Sequence, residues 1–423
     1  FMTGARDIIG AQEKRISNTM NPFSSGSSGM LSNLVSSMMD SGGSGGDGDM
    51  WKGRAVSLVS AVILALVDMR DRKEILLDVD TIREYLILEN IQKLASRRDL
   101  PSHAIQALKA YLTSLPGYVE GQPKQGETTA EQHGYLQMQF TKILGSLADS
   151  YGYIFRTNLG EVDFWDVVVN RRILVVLLPA LEKSPEELSN LGKIIVASLK
   201  QMMASGLGAE LEGPKKEIID TKPTKSPTPF VCILDEYGYY AVKGAAVMPA
   251  QARGIGFSMI FAGQDYPALE KSSKEEAAST LGNCNIKIFG KLEDPTQTKE
   301  FFEKTVGQAM VTELSSLQTD NTGFTKTYYD THQAGVQLRG RASYDGLRGF
   351  KEGQAVVTFG EGVVDANIFY SNPGFAKAMR VTRLMSLEPH DEQTLKHASA
   401  IAKLRDKLVK KNWSASRADV SSN

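Results

Sequence analysis

The chain has 423 residues, 42% of them hydrophobic and 23% charged, so it is too long for one ordinary domain and apolar enough to bury a real core. Its 48 basic and 49 acidic residues leave a net charge of -1, which argues against a protein held on nucleic acid by one large basic face and leaves room for a local patch. Two cysteines, Cys232 and Cys284, exclude a disulfide framework and a multi-cysteine zinc site. Each stands in an apolar run, as a small buried hydrophobe of a reducing cytosol would.

The chain opens on Phe1, not Met, with no charged or apolar leader, and is expected to begin inside a longer protein. Asn21-Pro22-Phe23 leads into Ser24-Ser25-Gly26-Ser27-Ser28-Gly29, and a second Gly/Ser run spans 41–49. Such runs read as flexible surface loops. A phosphate cradle would need G-x-x-x-x-G-K-[ST]; no segment matches, and Lys52-Gly53-Arg54 has the wrong order. Residues 51–69 read as one long helix, apolar on more than one side. Its longest apolar stretch, 56–67, is interrupted by Ser57 and Ser60 and falls short of the roughly 20 residues of a membrane span. It therefore predicts a buried helix.

Helical text continues over 79–94, 103–112 and 132–147, punctuated by Pro101, Pro116 and the polar stretch 120–129. No strand-like alternation appears, so this region reads as a compact all-α module. After Tyr151 the texture changes. Arg172-Ile173-Leu174-Val175-Val176-Leu177-Leu178-Pro179 is a strand-length apolar run, expected to be buried on both faces as in a parallel sheet. Ser184 at the N-cap and Pro185 at N1 open a helix through Met203, and 206–229 reads as a solvated loop. Strand-like runs at 230–234, 257–262 and 284–289 recur about every 30 residues with helical text between them, the rhythm of βαβ units and a mainly parallel sheet. Asp294-Pro295-Thr296 opens a helix that Gly307 stops. Segments 354–359 and 363–370, joined by Gly360-Glu361-Gly362, predict a hairpin. Residues 390–411 form an amphipathic basic helix with Leu395, Ala398, Ile401, Leu404 and Leu408 on one face, and 414–423 read as disordered.

The sharpest chemical signal is Phe230-Val231-Cys232-Ile233-Leu234-Asp235-Glu236, an apolar strand ending in two adjacent carboxylates. In phosphate-loop ATPases an acid at this position holds the magnesium ion, and a following glutamate can orient and deprotonate the attacking water. The plain alternative is a strand that ends in a charged turn. Gln264 ends the next strand run, which would put its amide beside Asp235 and Glu236 as a polar sensor of phosphate or water. Arg253 precedes that strand, at the far end of the sheet. From there it can serve a neighbouring subunit's site in trans or satisfy helix-terminal carbonyls beside Gly254.

The ordered set "FVCILDEYGYY", "QARGIGFSMIFAGQDYPAL" and "LGNCNIKIFGKLEDPTQTKEFF", with "NPFSSGSSG" and the helical stretch before "RRILVVLLP", resembles the type IV secretion coupling proteins. They are RecA-like motors of the FtsK/HerA group, and the likeness is nearest to the coupling ATPases of Dot/Icm systems. It spans about 21–370. It implies a RecA-like core over 1–72 and 158–378, an all-alpha domain inserted at 73–157, and a C-terminal helical tail over 379–423. It implies ATP and Mg2+ as cofactors. Asp235 would be the metal-holding acid, Glu236 its catalytic neighbour, Gln264 the glutamine ending the next strand and Arg253 a trans arginine. Asn283 and Asn285 fall in the family's next strand motif with no chemical role. The phosphate loop and the family's membrane helices are absent and are expected upstream. The resemblance further implies the cytoplasmic face of the bacterial inner membrane, a homo-hexamer, and contacts with other secretion subunits. Protein effectors or adaptors would be held by the tail; near-neutral charge leans cargo toward protein over DNA. An interaction scaffold with weak or no ATPase activity is the competing reading.

Overall fold

The computed structural model describes residues 2–3, 17–39, 47–178, 184–206, 226–242, 244–271, 273–314, 317–320, 327–330, 334–374 and 400. The loop expected over 206–229, the 41–46 part of the second Gly/Ser run, and the expected tail helix and its disordered end lie wholly or almost wholly outside them. The chain runs β1 (Met2–Thr3), α1 (Ser28–Met39), α2 (Asp47–Asp71), α3 (Val79–Tyr85), α4 (Leu88–Ser96), α5 (Ser102–Thr113), α6 (Glu127–Gly145) and α7 (Gly152–Phe155). Next come α8 (Phe164–Val169), β2 (Val176–Leu177), α9 (Pro185–Ser205), β3 (Phe230–Leu234), α10 (Val247–Gln251), β4 (Phe257–Phe261), α11 (Tyr266–Glu270), α12 (Lys274–Asn283) and β5 (Ile286–Phe289). The last part holds α13 (Gln297–Val306), β6 (Gln308–Leu314), β7 (Leu317–Asp320), β8 (Thr327–Asp330), β9 (Ala334–Gly340), α14 (Tyr344–Arg348), β10 (Gln354–Phe359) and β11 (Gly362–Asn367).

The long apolar run becomes α2, and Leu58, Val59, Val62, Ile63, Ala65 and Leu66 are fully buried. A helix apolar nearly all round must sit at the centre of a core, and here α1, α5 and α6 pack around it. Among the described residues no helix is long and apolar enough to cross a membrane. Helices α3 to α7 share one apolar cluster with α1 and α2, and no strand interrupts 79–155.

The expected single helix over 79–94 is broken at Leu86-Ile87. Side chains take the carbonyls that would carry the helix onward: Asn90 Nδ2 donates to Glu84 O at 2.9 Å and His133 Nε2 to Leu86 O at 2.9 Å. A carbonyl only accepts, so Nε2 carries the proton and Nδ1 accepts from Tyr111 Oη at 2.7 Å. That buried chain joins α5, α6 and the end of α3. Burial holds the His133 imidazole below its ordinary range and pushes the Tyr111 phenol up.

The first Gly/Ser run is not a free loop. Ser27 Oγ accepts from Met30 N at 3.3 Å as α1 begins, and Arg70 donates to Phe23 O at 3.0 Å and Gly26 O at 2.6 Å. Asn21 Nδ2 donates to Leu77 O and Asn158 O, each at 2.9 Å, while its Oδ1 accepts from Phe23 N at 2.9 Å. One side chain thus ties together the two points where the chain enters and leaves the α3–α7 region.

In the strand region β3 and β4 pair in parallel, Phe230 beside Phe257 through Leu234 beside Phe261. One face, with Leu234 and Phe257, packs in a cluster with Val196, Leu199 and Met203 of α9. Ser184 caps α9 through Glu187 N, with Pro185 in the first turn, and Gly307 ends α13. The 354–359 hairpin forms as β10 and β11. Three expectations need correction. β5 pairs antiparallel with β10 instead of continuing the β3–β4 sheet, so among the described residues parallel pairing is confined to β3–β4 and β1–β2. The 172–179 run yields only the short β2, and Ile173 is 91% exposed with Val175 and Leu177 each 47% exposed, so it is not buried on both faces. Cys232 and Cys284 are free and half-buried, not fully buried. The structure also adds a ribbon, β6 antiparallel to β9 with β7–β8 beyond it.

Candidate active site

Parallel pairing puts the carboxyl ends of β3 and β4 side by side, the place where open α/β sheets hold their ligands. The ladder runs on past the strands: Ala262 N donates to Leu234 O at 2.9 Å and Tyr237 N to Ala262 O at 3.1 Å. Asp235 and Glu236 sit in the turn between. Glu236 has φ 51° and ψ 40°, a left-handed conformation that costs a non-glycine residue about 1–3 kcal/mol and persists where the surroundings hold it. Here it turns the carboxylate toward the β4 tip, where Gln264 Nε2 donates to Glu236 Oε1 at 2.7 Å. The glutamate and the glutamine 28 positions on are therefore in direct contact.

Asp235 is exposed, and its Oδ1 accepts from Glu236 N at 3.1 Å. Its backbone is fixed from below: Tyr240 Oη donates to Asp235 O at 2.5 Å. Tyr237 and Tyr240 are buried edge-to-face against each other, with Tyr237 also against Phe261. Burial raises both phenols, and the nearby Asp235 charge adds to the rise at Tyr240, so they remain neutral donors. A Cβ on Gly238 would lie 1.9 Å from the Ala268 carbonyl oxygen, so only glycine lets α11 close on this turn. The Tyr237-Gly238-Tyr239-Tyr240 support escaped sequence reading; a glycine between aromatics directly after the two acids was the available signal.

Arg253 is exposed in the turn Ala252–Ile255 that precedes β4. Five strand residues at about 3.3 Å each separate it from the acidic tip, so it does not join that cluster. The carbonyls of Ala252 and Arg253 are satisfied by the N–H of Gly256, at φ 76°, and not through Gly254. Asn283 Nδ2 donates to Ser279 O at 2.9 Å, which ties it to its own helix α12.

Known proteins resemble this chain in sequence and in fold. The family described as the TraM recognition site of TraD and TraG matches residues 229–339. The type 4 coupling protein DotL of Legionella pneumophila subsp. pneumophila (strain Philadelphia 1) is 52% identical over 433 residues, 99% of this chain and 55% of the relative. The chain thus spans about half the length of that relative. Among solved structures, the conjugative coupling protein TrwBΔN70 in its unbound monoclinic form aligns with TM-score 0.54 and 11% identity, covering 86% of this chain and 73% of its own. TrwB in complex with ADP and Mg2+ aligns with TM-score 0.52 and 12% identity, covering 86% and 73%. These structural likenesses carry the fold, an α/β core with helices and parallel strands. Over nearly its whole length the chain is similar in sequence to the type 4 coupling protein DotL.

Proposed function

We propose that this chain is the greater part of the motor domain of a type IV secretion coupling ATPase. The observation that carries the reading is the carboxyl tip of β3 and β4, where Asp235, Glu236 and Gln264 converge. Asp235, with its exposed carboxylate, would hold Mg2+. Magnesium keeps several waters and takes few protein ligands beside substrate phosphates, which suits a tip where no group of three or more His, Cys, Asp or Glu is found among the described residues. Bound magnesium would neutralise charge building on the phosphates. Glu236, oriented by the Gln264 amide, would take the proton of the attacking water. Arg253, too far from its own tip, would serve the next subunit of a homo-hexamer.

The phosphate loop and its lysine would come from the part of the longer protein that this chain does not span. Support for that lies in two open places. β4 has β3 on one edge and β5 has β10 on one edge, and neither has a second described partner. On the face away from α9, Val231 and Ile233 are 52% and 66% exposed, more aliphatic surface than a parallel sheet leaves uncovered. Membrane helices upstream would set the motor on the cytoplasmic face of the inner membrane. The α3–α7 region would be the inserted all-alpha domain, helping to receive cargo. Adaptors or protein effectors would bind through 379–423, with other secretion subunits around the ring; DNA is the alternative cargo, since the TrwB structures are of a plasmid coupling protein.

The test is ATP turnover by the longer protein carrying Glu236→Gln. Nucleotide binding is expected to persist while turnover falls about 100-fold or more, the usual worth of a general base. Unchanged turnover would remove Glu236 from the mechanism, whereas no turnover by the unsubstituted longer protein would make an adaptor-binding scaffold the better reading.

A further inference from the structure

A cavity of about 460 Å³ lies between the 20–25 loop, the first turn of α8 and the second half of α9. Its lining shares no residue with the β3–β4 tip. Its walls are built before any ligand arrives. Asn21 and Arg70 fix the loop through the four hydrogen bonds to Leu77, Asn158, Phe23 and Gly26 carbonyls described above. The loop also meets α9 closely: Gln201 Nε2 donates to Ser25 Oγ at 3.4 Å, and a Cβ on Gly26, at φ +95°, would lie 2.0 Å from the Gln201 amide nitrogen.

The chemistry of the lining selects the ligand. Among the described residues no lysine or arginine lines the cavity, and Asp163 is their one charged lining side chain. An anion would find no cation there and one repelling carboxylate. Asp163 spends Oδ1 on Trp165 N at 3.0 Å, capping α8, which leaves Oδ2 for a positive partner. Trp165, 36% exposed, offers an indole beside it. Met20 and Met202 supply apolar surface for an alkyl stem. The Ser198 hydroxyl, in a residue only 8% exposed, has no hydrogen-bond partner among the described residues and is an unused polar group of the wall. A planar cation on an alkyl stem meets all of these at once. Guanidinium stacks on an aromatic face and pairs with a carboxylate in one geometry, which an ammonium does less well.

We propose that this cavity is a docking site for an arginine side chain presented by a protein partner. The proposal stands apart from the nucleotide reading, and so does its test. This 423-residue chain would carry Trp51→Phe and Trp413→Phe, which leaves Trp165 as its single tryptophan. Its fluorescence would be titrated with acetyl-Ala-Arg-Ala-amide, with the isosteric uncharged citrulline peptide, and with agmatine. Isothermal titration of the same ligands gives the comparison independently of the fluorophore. The arginine peptide is expected to bind saturably and the citrulline peptide several-fold more weakly. Asp163→Asn keeps a helix cap as good as the original, so it removes charge without removing structure. It is expected to weaken the arginine peptide roughly two- to fivefold, the worth of a partly exposed ion pair, and to leave the citrulline peptide unchanged. Absence of saturable binding of the arginine peptide in both measurements overturns the proposal. So does equal binding of the citrulline peptide, an unaltered affinity in Asp163→Asn, or agmatine binding as tightly as the peptide.

Discussion

The helical region around α2 and the strand region around β3, β4 and β5 handle the same problem differently. The first closes its own core: α2 is buried on nearly every side by α1, α5 and α6, and the buried His133 finds partners in Tyr111 and Leu86. The second covers one face of β3 and β4 with α9 and leaves Val231, Ile233, Ile286 and Ile288 each more than half exposed. Apolar strands with an open face and open edges are an incomplete packing unit. The chemical groups stand on the incomplete unit, at the tip of β3 and β4. Among the described residues the helical part is packed around its own core, while the strand part, where the proposed motor chemistry would sit, keeps an open face.

The contrast can be broken most forcefully at α2. Ile63→Ala removes a side chain with no exposed surface and is expected to cost about 2–5 kcal/mol in urea unfolding. A cost well under 1 kcal/mol would mean that the helical core is looser than its burial indicates.

A smaller effect, with a defined direction in pH, is expected at His133. Its folded-state pKa lies below the unfolded value of 6.5 because burial disfavours the charged ring. The stabilising contribution is therefore complete above pH 6.5 and is lost as pH falls below it, since the unfolded chain then takes up a proton that the folded one resists. Unfolding free energies measured between pH 7 and 5 should fall in the wild type and fall less steeply in His133→Gln. Identical slopes would show that His133 does not titrate against the fold.

The smallest effect is expected on the open face. Ile233→Ala, at a residue 66% exposed, should change the stability of this chain by no more than about 0.5 kcal/mol, yet should be clearly destabilising in the longer protein. Equal small effects in both would mean that nothing covers the face.

Much of this was legible in the residues themselves because the information was local. The β3 run with its two acids, the β4 run ending at Gln264, the Ser184 cap and the Gly307 stop all depend on neighbours within a few positions. What could not be read depends on distant partners. The break between α3 and α4 is made by His133, 47 positions from the carbonyl it bonds. Asn21 gains its role from Leu77 and Asn158, 56 and 137 positions away. The apolar 172–179 run promised burial, but burial needs a covering layer, and apolar character alone does not supply one. β5 was expected to continue the parallel sheet because its spacing fits a βαβ rhythm; the β10–β11 hairpin, which pairs with it from some 70 residues on, decided otherwise.

The completion of the strand region is tested most directly by amide hydrogen exchange across β4, Phe257–Phe261, in this chain alone and in the longer protein. In a parallel strand, alternate N–H groups face the two edges, and here only the β3 edge is paired among the described residues. The β4 amides facing the other edge are expected to exchange quickly in this chain and to become strongly protected in the longer protein. Equal, fast exchange of those amides in both would contradict that expectation.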